Sequence, residues 1–170
     1  MTDNFVHGIK DDRLKLKIVT EDDVETGDYL EFDFEDVDLL LRYQEMLEKN
    51  KKNREWIRNQ AIILQKRPDV KGKKFLSRNE EDMLKSVKEF FNKQVEIYNM
   101  FLGENGVQKL LCGRKLTWTT LQEIDEIIET QIAPHIKGNL EDITKKIKEK
   151  YSHNKSEENV LKWDIQSMLK

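Results

Sequence analysis

The sequence predicts a mainly α protein, a helical domain with a short N-terminal β-hairpin, at the margin of the α+β class. Only 2 prolines and 7 glycines occur in 170 residues, which favours long helices over a fold rich in loops. Apolar residues alternate with polar ones over residues 14–34, as in half-buried strands, and recur at helical spacing from there onward. We therefore expect one helical domain over residues 1–151. A polar linker and a short amphipathic C-terminal segment would follow over residues 152–170.

The composition predicts a thin core. Charged residues make up 37% of the chain, compared with about 25% in an ordinary globular domain. The apolar residues must then be concentrated in narrow stripes, so burial against further copies of the chain or a partner would add stability. We therefore expect self-association and protein–protein contacts. The net charge of −3 provides no overall field that attracts a polyanion, which argues against nucleic acid as the partner.

The sequence predicts a cytoplasmic protein. Cys112 is the only cysteine, which excludes an intrachain disulfide framework and a cysteine-rich zinc site. The first residues lack the basic start and apolar run of a secretory signal. No apolar stretch approaches the roughly 20 residues that a membrane span needs, so no membrane association is expected.

Catalytic and metal-binding patterns are absent from the sequence, and we expect no enzyme activity, no metal and no cofactor. No phosphate-binding glycine loop and no nucleophile elbow occur. His7, His135 and His153 lie far apart, and none has a second ligand at metal-binding spacing. His135 follows Pro134 and is expected at a helix end. Cys112 follows two leucines, which predicts an inert buried thiol rather than a nucleophile.

Two short strands are predicted near the N-terminus. Leu14, Leu16 and Ile18 alternate with other residues and would share one face of the first strand. The second strand covers residues 29–34 and also places its apolar residues on one face. An acidic turn that contains Gly27 would join them. Because an isolated hairpin is marginally stable in water, this one must pack on helices or pair with another chain.

The first helix is predicted to begin after the hairpin, but its length stays open. Apolar residues mark one helical face over residues 37–47. Residues 48–55 are entirely polar, and apolar residues return from Trp56 onward. The pattern fits either one long helix with a solvated middle or two helices joined near residues 50–53. Pro68 would end this region.

The clearest predicted helix begins at a capping box. Ser77 and Glu80 are spaced so that the hydroxyl and the carboxylate each satisfy an unpaired backbone amide at the helix start. Gly103 fits the end of this helix, and a short helical piece over residues 106–112 follows. Its apolar residues recur at steps of three and four: Leu84, Val87, Phe91, Val95, Tyr98 and Leu102.

Two more helices are predicted toward the C-terminus. The first begins near Trp118 and is stopped or kinked at Pro134, because proline lacks the amide that continues a helix. Its apolar face contains Leu121, Ile124, Ile128 and Ile132. The last helix carries Leu140, Ile143, Ile147 and Tyr151 on one face.

A basic cluster around the polar middle of the first helix is one candidate contact surface. Its cations would meet nucleic acid or an acidic protein surface. Neighbouring glutamates dilute the charge, and the simpler interpretation is a solvated face. A second basic group occupies residues 67–78, and neither group is interleaved with aromatic residues for base stacking. The residues of the candidate surface are Lys51, Lys52, Arg54 and Arg58.

The C-terminal segment is the second candidate surface. It follows a polar linker over residues 152–159 and carries a tryptophan within a small apolar cluster. Such a segment can anchor as a helix in the groove of a partner. It can equally fold back onto its own domain. Because a helix this short is mostly unformed by itself, it needs one of these two surfaces to pack against. The candidate partner-binding residues are Leu161, Trp163, Ile165, Met168 and Leu169.

Three features of the chain carry a family resemblance. The strand over residues 29–34 runs straight into the helix over residues 37–47. A helix containing Phe90 and Phe91 leads to the turn Phe-Leu-Gly-Glu-Asn-Gly at residues 101–106. A short apolar helix with a lysine and a closing glycine follows, and then a linker and an acidic helix that contains Leu-Gln-Glu-Ile.

This arrangement resembles the tail assembly chaperones of long-tailed, siphovirus-type phages and of prophages in Gram-positive bacteria. Leu102 stands where phenylalanine is common in that family, and residues 67–74 and the tail beyond Tyr151 have no clear counterpart. The resemblance implies a non-catalytic protein that coats or solubilises the tape measure protein, recruits tail tube subunits and leaves before the tail is finished. The expected partners are therefore the tape measure protein and the tail tube protein.

Two other functions remain open from the residues alone. The first is an adaptor or inhibitor, for example an antitoxin-like protein, that docks through its C-terminal segment. The second is a nucleic-acid-binding protein. In the first case the loss of residues 160–170 would abolish activity. In the second, binding to DNA would fall steeply with salt and depend on Lys51, Lys52 and Arg54.

Overall fold

A computed structural model describes residues 13–151, and in this range the chain is mainly helical with an antiparallel two-stranded hairpin at its start. The predicted fold class is confirmed. The two longest helices, α1 (Val37–Lys66) and α2 (Arg78–Leu102), pack side by side as an antiparallel pair. The other elements are β1 (Leu14–Val19), β2 (Glu25–Phe32), α3 (Gly106–Leu111), α4 (Trp118–Ile127), a π-helical segment (Ile128–Ile132) and α5 (Ala133–Tyr151).

The hairpin buries the face that the alternation predicts. Leu14 pairs with Phe32 and Leu16 with Leu30, so apolar residues of both strands lie on one side. Leu30, Phe32 and Ile18 are buried. This side packs on the helices, where the ring of Phe32 lies 5.7 Å from that of Phe101, and the other side faces solvent.

The turn of the hairpin lies earlier than predicted. The chain reverses over residues 20–24, where the Thr20 amide donates to the Val24 carbonyl oxygen at 2.9 Å. Asp23 adopts a left-handed conformation there. Gly27 is therefore not in the turn but within β2, where its positive φ of 83° accommodates an irregularity in the pairing between Lys17 and Val19.

α1 is one continuous helix of 30 residues, so the interpretation with a joint near residues 50–53 is wrong. Asp36 caps its start by accepting a hydrogen bond from the Asp38 amide at 2.9 Å. The polar middle is also not simply solvated, because Asn53 is buried with only 6% of its surface exposed. α1 ends at Lys66, two residues before Pro68.

α2 begins and ends as predicted. The Ser77 hydroxyl accepts a hydrogen bond from the Glu80 amide at 3.2 Å, and the Glu80 carboxylate accepts one from the Ser77 amide at 2.7 Å. Gly103 ends the helix with a φ of 93°, a conformation that disfavours any residue with a Cβ. α3 follows after three residues, and Gly106 at its start lies directly against Leu102.

Of the stop or kink expected at Pro134, the stop is wrong, because the helix continues through this residue from α4 into α5. The π-helical segment explains how. The Ala133 amide donates to the Ile128 carbonyl five residues back, so the hydrogen bonding is already displaced where Pro134 lacks its amide. His135 consequently lies inside a helix and not at its end, and its ring stacks on Phe34 at 5.3 Å.

The core lies between the hairpin, the α1–α2 pair and the face of α4 and the π-helical segment that is turned toward them. Its largest fully buried side chains include Phe90, Tyr98 and Phe101 of α2, together with Phe32 and Val107. Burying one such aromatic side chain stabilises the fold by roughly 1.5–3 kcal/mol. Most of α5 beyond residue 144 is exposed, so the described part of this helix extends away from the core.

Gly106 provides a test of this packing. A Cβ added at this position would overlap the Cβ of Leu102, which is backbone-proximal and has no freedom to move aside. We expect Gly106→Ala to lower the free energy of unfolding by about 1–3 kcal/mol, measured by urea denaturation. Gly138→Ala is the matched control. Its added Cβ meets open space within α5, so this substitution should be neutral or stabilise the fold by up to about 1 kcal/mol. Equal effects of the two substitutions would contradict the proposed overlap.

Candidate protein-binding grooves

A polar network lies in the middle of the α1–α2 pair and positions the surfaces on either side of it. The Asn53 amide nitrogen donates to Gln94 Oε1 at 2.9 Å and to the Phe90 carbonyl oxygen at 3.1 Å. Gln94 Nε2 in turn donates to Asn50 Oδ1 at 2.9 Å. Gln94 is fully buried. Asn50 and Asn53 in the polar middle of α1 are thus paired with α2, while Lys51, Lys52 and Glu55 stay exposed.

The network continues to α4 through Arg54 and Tyr98. Arg54 Nη2 lies 2.5 Å from Asp125 Oδ2, and Arg54 Nε donates to Asn50 Oδ1 at 2.9 Å. The Tyr98 hydroxyl donates to Asp125 Oδ1. Burial, followed by the hydrogen bond and the negative charge of Asp125, raises the pKa of Tyr98 well above its ordinary value of 10.0. Tyr98 is therefore a structural hydrogen-bond donor that holds α4 on the helix pair.

An open groove with a volume of about 430 Å³ lies on one flank of the α1–α2 pair. We call it the Trp56 groove. Trp56, Ile97 and Met100 form its apolar part, and Lys93 Nζ lies over the Trp56 ring at 4.4 Å from the centroid. The rim is mainly basic. Its charged residues are Lys49, Lys52, Lys93 and Glu96.

A second, smaller groove of about 330 Å³ lies on the other flank, toward α4. We call it the Trp118 groove. Trp118 is 48% exposed and stacks on Phe90 with a centroid distance of 5.0 Å. Ile57, Ala61 and Met83 complete the apolar lining. Its basic residues are Arg54 and Arg58.

The structure divides the predicted basic surface between the two flanks of the helix pair. Lys52 lines the Trp56 groove, whereas Arg54 and Arg58 line the Trp118 groove on the other flank. Lys51 is exposed and lines neither groove. It lies three and seven residues before Arg54 and Arg58, so it shares their face of α1, while Lys52 is turned about 100° away from it. Arg54 is also engaged with Asp125.

The C-terminal candidates, Leu161, Trp163, Ile165, Met168 and Leu169, lie outside the described residues, as do His7 and His153. Cys112 is exposed and not buried as predicted. It ends α3 in a left-handed conformation with a φ of 47°, which turns the chain away from the core at this residue.

Sequence reasoning missed the residues that form the grooves and one aromatic residue in the α1–α2 loop. The sequence marks Trp56 only as an apolar position of the first helix, and its proximity to Ile97 and Met100 depends on the pairing of two helices. The sequence itself could have revealed Phe75 as a candidate contact residue. It follows Lys74, so the second basic group does carry an aromatic residue, and this side chain is 94% exposed.

Comparison with known proteins adds no relative. No protein-family model matches the chain, and neither a curated protein nor a solved structure matches it. Among residues 13–151, no group of three or more His, Cys, Asp or Glu side chains is arranged to hold a metal ion. None of the helices in this range has the length and apolarity needed to cross a bilayer. The two grooves are thus the structural features that bear on function.

Tyr98 leads to a prediction about alkaline pH. Because its pKa is higher in the folded protein than in the unfolded chain, its contribution to stability is complete below pH 10 and is lost as the pH rises above that value. We expect the free energy of unfolding to fall more steeply above pH 10 in the wild type than in Tyr98→Phe. At neutral pH the variant should be less stable by about 1 kcal/mol.

Urea denaturation at several pH values between about 9 and 11 measures this difference. The lysines and the other tyrosines titrate in both proteins, so the difference between the two profiles isolates Tyr98. Parallel profiles would show that the Tyr98 proton is held no more tightly in the fold than in the unfolded chain.

Proposed function

We propose that this chain is a non-catalytic tail assembly chaperone that binds a helical segment of a tape measure protein and helps to recruit tail tube subunits in the host cytoplasm. The observation that carries the proposal is the Trp56 groove, an apolar surface with a basic rim that lies between two long helices. The sequence resemblance supplies the identity of the partner, and the groove supplies a place for it to bind.

The dimensions of the groove suit an amphipathic helix. Its lining runs from Lys49 to Trp56 on α1 and from Lys93 to Met100 on α2. Seven residues of a helix correspond to about 10 Å, or two turns. A client helix lying along the groove would therefore place apolar residues at positions i, i+3 or i+4, and i+7 against Trp56, Ile97 and Met100.

The rim adds a preference for charge. Lys49, Lys52 and Lys93 outnumber Glu96 around the apolar part of the groove. The rim lysines would thus attract acidic residues that flank the apolar stripe of the client helix, and they would repel basic residues at the same positions. Lys49 and Lys93 already pair with Glu45 and Glu89 of their own helices, so this attraction is a modest addition to apolar burial.

Several exposed apolar residues of α1 support a role in covering a long client. Val37, Leu41, Leu47, Ile62 and Ile63 are all more than 40% exposed. A helix that buries its apolar residues only within its own domain would not carry so many on its outer side. Weak contacts of many copies along one long helical client would add up through avidity.

The proposal is tested with peptides of about 20 residues that tile a tape measure protein encoded in the same genome as this chain. We expect a subset with an amphipathic, acidic pattern to bind, and Trp56→Ala to weaken their affinity by at least about tenfold, as for an aromatic anchor. Isothermal titration calorimetry measures the affinity. Trp118→Ala is the matched control, because it removes a tryptophan from the other groove, and it should change the affinity less than about twofold.

Failure of every peptide to bind the wild type would refute the chaperone proposal. Equal losses for the two tryptophan variants would refute the assignment of the groove. Affinity purification from cells that express the tail genes provides the independent measurement. Recovery of host proteins without tape measure or tube protein would favour the adaptor or inhibitor function instead.

A further inference from the structure

The loop between α1 and α2 forms a basic and apolar projection, which we call the tip and define as residues 70–75. It contains Lys71, Lys73 and Lys74, and Phe75 at its end is 94% exposed. Val70 is 62% exposed. Within the described residues, Lys71 and Lys73 make no ion pair, and only Lys74 approaches a carboxylate, Glu81 at 3.8 Å. The tip thus presents an unshielded aromatic ring among cations.

The base of the tip is firmly held. Arg67 pairs with Asp82 at 2.7 Å and donates to Asn79 Oδ1 at the same distance. Asn79 Nδ2 donates back to the Leu64 and Arg67 carbonyl oxygens at 3.1 and 2.9 Å. Asp69 accepts hydrogen bonds from the amides of Val70 and Asn79. A projection whose base is fixed in this way loses less conformational entropy when a partner binds it.

The hairpin and the start of α1 have the opposite charge. Residues 18–41 contain ten acidic residues and no lysine or arginine, and they include the whole hairpin turn. At this turn, Glu21, Asp22 and Asp23 are exposed beside Val19 and Val24, which are 47% and 59% exposed. The turn is therefore an acidic and apolar surface of the kind that the tip would bind.

The two surfaces do not pair with each other in the described part of the molecule, where Lys74 approaches Glu81 and Glu21 pairs with Arg114 at 3.5 Å. α1 begins shortly after β2 and ends at the base of the tip, and a straight helix of 30 residues is about 45 Å long. We propose that the tip of one molecule docks on the acidic hairpin turn of a second copy, with Phe75 against the two exposed valines and the three lysines facing the turn carboxylates. This contact uses neither groove and does not depend on the proposed function.

The geometry makes the contact head-to-tail. A pair of molecules keeps one unoccupied tip and one unoccupied hairpin turn, so the association continues into a chain or closes as a ring. One loop against one turn is smaller than a standard interface, and the isolated contact is therefore weak. Its charged component should also be screened when the salt concentration rises.

An anionic lipid surface or a nucleic acid would also attract a loop of lysines and phenylalanine. Neither would use the hairpin turn, because its carboxylates would be repelled by the same anionic partner. A second copy is the partner that satisfies both surfaces at once. The other two partners are outcomes of the experiment below.

Sedimentation velocity of the full chain at rising concentration, in low and high salt, tests the proposal. The tip variant carries Lys71→Gln, Lys73→Gln, Lys74→Gln and Phe75→Ser. The turn variant carries Glu21→Gln, Asp22→Asn and Asp23→Asn, and asparagine tolerates the left-handed conformation of residue 23. We expect salt-sensitive assembly of the wild type beyond a dimer, with each variant weakening association by about tenfold or more.

Mixing the two variants is the decisive step. The turn variant keeps an intact tip and the tip variant keeps an intact turn, so the mixture should form a heterodimer that does not extend. The control protein, with Lys51→Gln, Lys88→Gln and Lys137→Gln, loses three exposed cations away from the tip and should assemble like the wild type.

Three results would overturn the inference. The first is a wild type that stays monomeric at every concentration in low salt. The second is assembly that neither variant weakens. The third is a tip variant that assembles normally but loses binding to vesicles containing phosphatidylserine or to duplex DNA, which would assign the tip to lipid or nucleic acid.

Discussion

Asn53 and Gln94 meet in the interior between α1 and α2, and the hydrogen bonds around them determine how the two helices pair. A buried amide without a partner costs roughly 1–3 kcal/mol, so sliding one helix along the other by a turn would strand several polar groups at once. Apolar contacts are less selective, because cores tolerate rearranged side chains of similar volume. The polar segment of α1 therefore fixes the register of the pair. The Trp56 groove, the Trp118 groove and the position of the tip all depend on this register.

The same network connects α4 to the pair through Asp125, which receives the hydroxyl of Tyr98 and the guanidinium of Arg54. The ion pair is partly exposed, with side-chain exposures of 41% for Arg54 and 32% for Asp125, so its own contribution to stability is small. Its effect is mainly geometric. It orients the start of α4, where Trp118 stacks on Phe90 and forms the wall of the second groove. Polar side chains thus position apolar surfaces that remain open to a partner.

The parts of the fold that local patterns encode could be predicted from the sequence, and the parts that depend on distant residues could not. The capping box at Ser77 and the helix end at Gly103 need only residues within a few positions of each other. The continuity of α1 needed information from α2, because only the buried Gln94 distinguishes a paired Asn53 from a solvated one. The helix stop predicted at Pro134 was wrong for a related reason, since a shift to π-helical hydrogen bonding removes the need for the proline to donate an amide hydrogen bond. The grooves were beyond prediction because each combines residues of two or three helices, whereas the four cations chosen from the sequence all belong to a single helix.

The continuity of α1 has a further consequence for how the surfaces relate to each other. Its 30 residues contain neither glycine nor proline, the residues at which helices usually bend. The acidic start of α1, the grooves and the basic tip are therefore held at fixed positions along one long helix, with opposite charges near its two ends. A thin core and a high charge content would ordinarily be liabilities for a domain of this size. In this protein they accompany an arrangement in which many apolar side chains face outward. The length of α1 also keeps its acidic start and the basic tip too far apart to neutralise each other within one molecule. Contacts between molecules are then the means by which these surfaces become buried.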